Sequence, residues 1–213
     1  MKFPLEFLEA QLKKRLSYRY KWGRKQSDEW DRFTSFIYDT PVWEEFIVKL
    51  KSAIIRLDAD KGELFDYAGN RWFNFWSAMA VETIFSEMEG VNPAKNSRDT
   101  EKDFFIDGIP FDHKTSVFPK HLGTNITSAK ANKADLVTWF YENQSVEKRL
   151  HFKNRLFIVV FDQNGEHWKL KAEISLLRKE IHRYLATYQK EQLITSIFAE
   201  DSQALSDIIW VIR

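Results

Sequence analysis

Three carboxylates and one ammonium group have the types and spacing to gather at a divalent cation: Glu82, Asp103, Asp112 and Lys114. Residues 103 to 116 read Asp-Phe-Phe-Ile-Asp-Gly-Ile-Pro-Phe-Asp-His-Lys-Thr-Ser, two short strands about an Asp-Gly pair, the strongest short-range hairpin signal. With Asp107-Gly108 as the loop, Ile106 pairs with Ile109, Phe104 with Phe111 and Asp103 with Asp112. Phe104, Ile106, Ile109 and Phe111 then form an apolar layer on one side. On the other, the carboxylates of Asp103 and Asp112 face each other, with Lys114 beyond Asp112 on the same face. Like charges directly opposite destabilise a sheet, so the pair needs a cation or a shared proton. Hard oxygen donors favour magnesium or manganese. His113 points the other way and is expected to be packed rather than catalytic.

A third acid comes from the preceding helix. Ala78, Met79 and Phe85 are the helical neighbours of Glu82, with Phe75 a further turn back, so its carboxylate lies in an apolar stripe. An unpaired charge there is expensive, and a helix packed across the hairpin would bring Glu82 toward the two aspartates. Glu87, the competitor, sits near the helix end and can reach solvent.

The elements that must position these groups are legible as periodicities. Phe3, Phe7, Leu8, Leu12 and Leu16 recur at helical spacing, as do Phe46, Ile47, Leu50, Ile54 and Leu57 after the Thr40-Pro41 start signal. A weaker helical pattern covers residues 27–38. Residues 68–88, apolar almost all round, predict a central helix that ends before Asn92-Pro93. Further helices are predicted over 131–148, 172–186 and 188–199, and strands over 155–162 and 207–213. Asn164-Gly165 reads as a turn.

A helix bearing Glu, a strand with Asp, then a hairpin into Asp-x-Lys followed by Thr-Ser resembles the PD-(D/E)xK, or restriction-endonuclease-like, nuclease superfamily, over roughly residues 70–162. The helix from Ala131 and the strand Arg-Leu-Phe-Ile-Val-Val-Phe are similar to the family's second helix and following strand. Lys102 stands where the family has proline, and Asp112 where glutamate is commoner; neither change removes a ligand. The resemblance implies an α/β fold with a central mixed sheet flanked by helices, here as one domain with a helical extension over 1–60 and a catalytic core over 68–213. It implies that Asp103 and Asp112, joined by Glu82, hold magnesium, and that Lys114 orients or activates the attacking water.

The expected activity is therefore magnesium-dependent hydrolysis of DNA, with a homodimer where both strands are cut. Alternatives are a nuclease for RNA or for structured or damaged DNA, and a non-cleaving module that binds nucleic acid or protein. Without the chemistry, Asp112 and Lys114 would be an ordinary surface ion pair. Lys120, His121, Lys130 and Lys133 follow the hairpin and could line a nucleic-acid groove. Asn143 and Gln144 could contact phosphate or serve as caps. The segment Lys13, Lys14, Arg15, Arg19, Lys21, Arg24 and Lys25, threaded with Tyr18, Tyr20 and Trp22, could track phosphates and stack bases, or be a solvated helix face.

Composition bounds the rest. The chain has 213 residues and a net charge of +1, so bulk charge does not announce a nucleic-acid binder. The absence of cysteine excludes disulfides, zinc ribbons and thiol nucleophiles. No P-loop signature is present, which argues against ATP. No apolar run is long enough to span a bilayer, and Glu6 and Glu9 interrupt any leader-like start, so a cytoplasmic protein without membrane attachment is expected.

Overall fold

The computed structural model describes residues 3–22, 28–94, 102–120, 122–143, 153–199 and 202–213. Its chain packs as two compact units, residues 1–81 with 171–175, and residues 82–170 with 176–213.

The first unit is helical. Its elements are α1 (Leu5–Arg15), α2 (Asp28–Phe33), a short 3-10 turn over Ser35–Asp39, α3 (Trp43–Leu57) and most of α4 (Lys61–Ser86). Of the predicted α3 stripe Phe46 and Leu50 are buried and Ile47, Ile54 and Leu57 half-buried, and Trp43 and Ala53 join the buried face. Trp43 packs on Phe46 at 5.2 Å and on Trp72 of α4 at 5.1 Å between ring centroids. The indole N–H of Trp72 donates to the Thr40 carbonyl at 2.6 Å and that of Trp76 to Ile37 at 2.9 Å, so these rings bury their polar edges satisfied.

From Lys13 to Arg19 the basic segment, which begins in the last turn of α1, is paired or buried, while Lys21 is exposed. Lys13 pairs with Glu9 and Glu173, Lys14 with Glu44 and Arg19 with Asp66. Arg15 is fully buried, donating to Asn70 at 2.7 Å and to the carbonyls of Tyr18 and Arg19. Gly69 makes room for it: a Cβ there would lie 3.3 Å from the Arg15 Nε. The expected nucleic-acid contacts Arg24 and Lys25 lie outside the described residues.

The second unit is α/β, a mixed six-stranded sheet flanked by helices. The strands are β1 (Val91–Pro93), β2 (Phe104–Ile106), β3 (Ile109–Val117), β4 (Arg155–Phe161), β5 (Ile194–Ala199) and β6 (Ser202–Ile212), in the order β1-β2-β3-β4-β6-β5. The first three are antiparallel, β4 runs parallel to both β3 and β6, and β5 is antiparallel to β6. The crossover from β3 to β4 carries α5 (Ile126–Ala131) and α6 (Lys133–Asn143), and α7 (Ile174–Ala186) precedes β5. Buried on both faces, β4 is a continuous apolar run from Leu156 to Val160.

Three elements depart from the expectations or add to them. Residues 91–93 form an edge strand, where the missing N–H of Pro93 is tolerated. Residues 194–199 form β5 instead of continuing a helix from 188, because their β-branched and aromatic side chains pair with β6. The helix predicted over 131–148 is α6, described from Lys133 to Asn143, and Asn132 separates it from the shorter α5 before it.

Candidate active site

The Asp107-Gly108 turn forms as the sequence predicts. Both residues have positive φ, 48° and 77°, which Gly supplies freely and Asp tolerates. The register is Ile106 with Ile109, Phe105 with Pro110 and Phe104 with Phe111. It stops there, and Asp103 departs from expectation. Its N–H donates to the Phe111 carbonyl at 2.8 Å, and its carboxylate turns back to accept from the backbone N–H of His113 at 2.8 Å and from the His113 ring at 2.6 Å. The reason is electrostatic. Facing Asp112 would set two carboxylates against each other, whereas the buried imidazole offers a charge-assisted hydrogen bond.

Alternation along β3 then separates the acids. On one face His113 lies 6.3 Å from the Phe104 ring, which stacks at 4.3 Å on Phe85 of α4. Glu82, one turn before Phe85, shares this face with Asp103 and His113. Burial first, and the Asp103 carboxylate next, push the Glu82 carboxyl above its ordinary value. Glu87 is exposed and pairs with Arg178 at 3.6 Å.

On the other face lie Asp112 and Lys114. Their register partners on β4 are Arg155 and Phe157, and Phe157 stacks on Phe140 of α6 at 4.9 Å. The Arg155 Nε donates to Asp112 at 2.6 Å, with both side chains mostly buried. The Arg155 guanidinium also lies 5.9 Å from the Tyr141 ring, and the Tyr141 hydroxyl is 2.6 Å from Ser206 Oγ. Burial, and then the neighbouring Arg155, lower the Lys114 ammonium below its usual range, against the opposing pull of Asp112. Asp112 and Lys114 therefore share a face as expected, but with Arg155 and without Asp103 and Glu82.

Arg155 is the residue sequence reasoning passed over. Its signal was a charge opening an otherwise apolar strand, and only the parallel register shows that it meets Asp112.

The carboxylates have the hard-oxygen chemistry that magnesium or manganese takes, yet their arrangement does not fit the expected three-acid centre. Asp103 is engaged by His113 and Asp112 by Arg155, on opposite faces of β3. Among the described residues no group of three or more His, Asp or Glu side chains is placed to hold a metal ion.

The groove cations divide as well. Lys120 and Lys130 are exposed, as expected. Lys133 is instead held by Asp207 at 2.6 Å and by the Gln192 carbonyl at 3.1 Å, because a buried carboxylate needs a counter-charge. The Asn143 amide donates to the Trp139 carbonyl, closing its own helix, while His121 and Gln144 lie outside the described residues.

The Asp103–His113 contact has a measurable signature. Burial alone would raise the Asp103 carboxyl, but the His113 hydrogen bonds hold it below the usual carboxylate range. Burial alone would lower the His113 imidazole, but the Asp103 carboxylate holds it above its ordinary value. A raised imidazole contributes stability that is present below its unfolded pKa and lost as pH rises through the folded one. In Asp103→Asn burial still opposes the charged imidazole and only Asp112 and Glu82 favour it, so less stability is gained as pH drops. Urea unfolding of the two proteins between about pH 8 and about pH 6 should show a gap in stability that widens toward the acid end. Differencing cancels the groups that Asp103 does not touch, including His167, whose pKa is lowered chiefly by burial, while Glu82, which Asp103 also pushes up, adds to the gap with the same sign. A constant or narrowing gap would disprove the contact.

No protein-family model, no curated protein and no solved structure matches this chain. No helix among the described residues is long and apolar enough to cross a membrane.

Proposed function

We propose that the chain is a nuclease of the restriction-endonuclease-like kind, hydrolysing phosphodiester bonds in DNA. The observation that carries this reading is the placement of Asp112 and Lys114 on one face of β3, with Arg155 brought beside Asp112 by the parallel β3–β4 pair. The order of elements supports it: the Glu82 helix, Asp103, the Asp-Gly hairpin, the Asp112-x-Lys114 strand, helices and a parallel strand follow one another as the resemblance implies.

Two cations beside one carboxylate suit a phosphate diester. Lys114 and Arg155 would neutralise the non-bridging oxygens and the charge that grows on them as water adds at phosphorus and the P–O bond breaks. Lys114, as an N–H donor on the same face, also orients that water. Magnesium or manganese enters the proposal through the resemblance and not through this geometry, with Asp112 as the ligand on the Lys114 face. A bound ion would polarise the phosphate and lower the pKa of a water.

A second reading, a binding module that does not cut, is favoured by the division of the acids between two faces of β3. Supercoiled plasmid and an RNA transcript, each incubated with magnesium or manganese, separate the two. Nicking or linearisation of plasmid that a chelator abolishes supports the nuclease, and cleavage of the transcript alone shifts the substrate to RNA. Salt-dependent binding without cleavage under either ion establishes the binding module.

A further inference from the structure

The first unit contains a cavity of about 640 Å³, within the range of small-molecule sites, which the nuclease reading does not use. One wall is α3, where Ile47, Leu50 and Ile54 recur along a stripe. Phe65, from the first turns of α4, forms the facing wall. Tyr18, itself exposed, also lines it, its ring 4.9 Å from that of Phe65.

The charges at this cavity do not cancel. Its one acid, Asp66, is claimed by Arg19 at 2.9 Å. Lys51 and Lys61 also line it, and among the described residues neither has an ion pair. The surplus is positive and sits at the edge of an apolar chamber. Besides these charges the lining offers the hydroxyls of Ser17 and Tyr18 but no amide side chain to read the donor and acceptor pattern of a nucleobase. Lys51 and Lys61 are exposed, so a neutral apolar ligand would leave their attraction for an anion unused, and a polar one would strand its hydrogen-bonding groups against Ile47, Ile54 and Phe65.

We propose that this cavity binds a medium-chain acyl carboxylate, its chain between α3 and Phe65 and its carboxylate between Lys51 and Lys61. The chain is held by apolar burial, and the ammonium groups select the anionic end. The proposal is independent of the nuclease reading and survives its failure.

Isothermal titration calorimetry of the whole chain with decanoate and with decanol tests it. Decanoate should bind one molecule per chain, and decanol about tenfold or more weakly. The double variant Lys51→Ala with Lys61→Ala should bind decanoate no better than decanol, while its decanol affinity stays that of the wild type. Ile54→Trp, or Ile47→Trp should the first unfold, fills the chamber and should abolish both, with the circular dichroism spectrum unchanged. Equal affinity of the wild type for acid and alcohol, absence of decanoate binding, or undiminished binding by a folded tryptophan variant would overturn the proposal.

Discussion

Lys114→Ala lowers plasmid cleavage by about a hundred- to a thousandfold, the usual cost of removing one group that stabilises charge growing in a transition state. The side chain is half-buried on the β3 face that it shares with Asp112 and Arg155, so no solvent cation substitutes for it. Asp112→Asn should lose activity at least as severely, but with a different binding signature. Removing the carboxylate leaves Lys114 and Arg155 unopposed, so a short DNA duplex should be held as tightly as by the wild type or more so, with a steeper salt dependence. A purely structural ion pair would weaken binding and stability together and leave the rate per folded molecule unchanged. Asp103→Asn separates the faces: its carboxylate serves His113, so it should depress the rate far less than Asp112→Asn. Folded Lys114→Ala and Asp112→Asn proteins that cut at the wild-type rate would end the nuclease reading.

What the sequence disclosed and what it hid follow from the range of each interaction. The Asp107-Gly108 hairpin is local chemistry, two positive φ angles in a turn that few residue pairs accept, and it forms as read. The α3 stripe and the apolar run of β4 are periodic signals that packing reinforces. Asp103 was misjudged although its neighbours in register were right, because strand alternation holds only while a residue stays in the ladder. One residue beyond it, a carboxylate is free to choose an imidazole over another carboxylate. The strand at residues 194–199 was hidden by the helix-favouring Glu191 and Gln192 before it, and only pairing with β6 decides the matter. Arg155 and Lys133 were beyond reach for a shared reason. Their partners, Asp112 and Asp207, lie 43 and 74 residues away, and no local pattern announces them.

The Lys133 contact sets the second large effect, on folding rather than catalysis. Asp207 opens the buried half of β6 and is 2% exposed. Its two oxygens accept from Lys133 Nζ at 2.6 Å, Gln192 Nε2 at 2.9 Å, the Tyr184 hydroxyl at 3.1 Å and the Ile208 N–H at 2.8 Å. Four donors from separate elements are thus ordered by one carboxylate. Burial and this carboxylate push the Tyr184 phenol well above the ordinary tyrosine range, so it remains a donor at any pH the fold tolerates. Asp207→Ala takes the shared acceptor from all four and leaves a partly buried ammonium group with no counter-charge, held only by the Gln192 carbonyl. The expected cost is about 3–5 kcal/mol, a large share of the roughly 5–15 kcal/mol that holds a domain together. Lys133→Ala should cost less, because three neutral donors still satisfy the carboxylate. The double variant should then be less destabilised than the sum of the two, since the second change removes the charge that the first left unpaired. Urea titrations of the three proteins measure this coupling directly. Lys133→Ala should also leave DNA affinity unchanged, because its ammonium group is spent on Asp207; a loss of affinity without loss of stability would return Lys133 to the nucleic-acid groove.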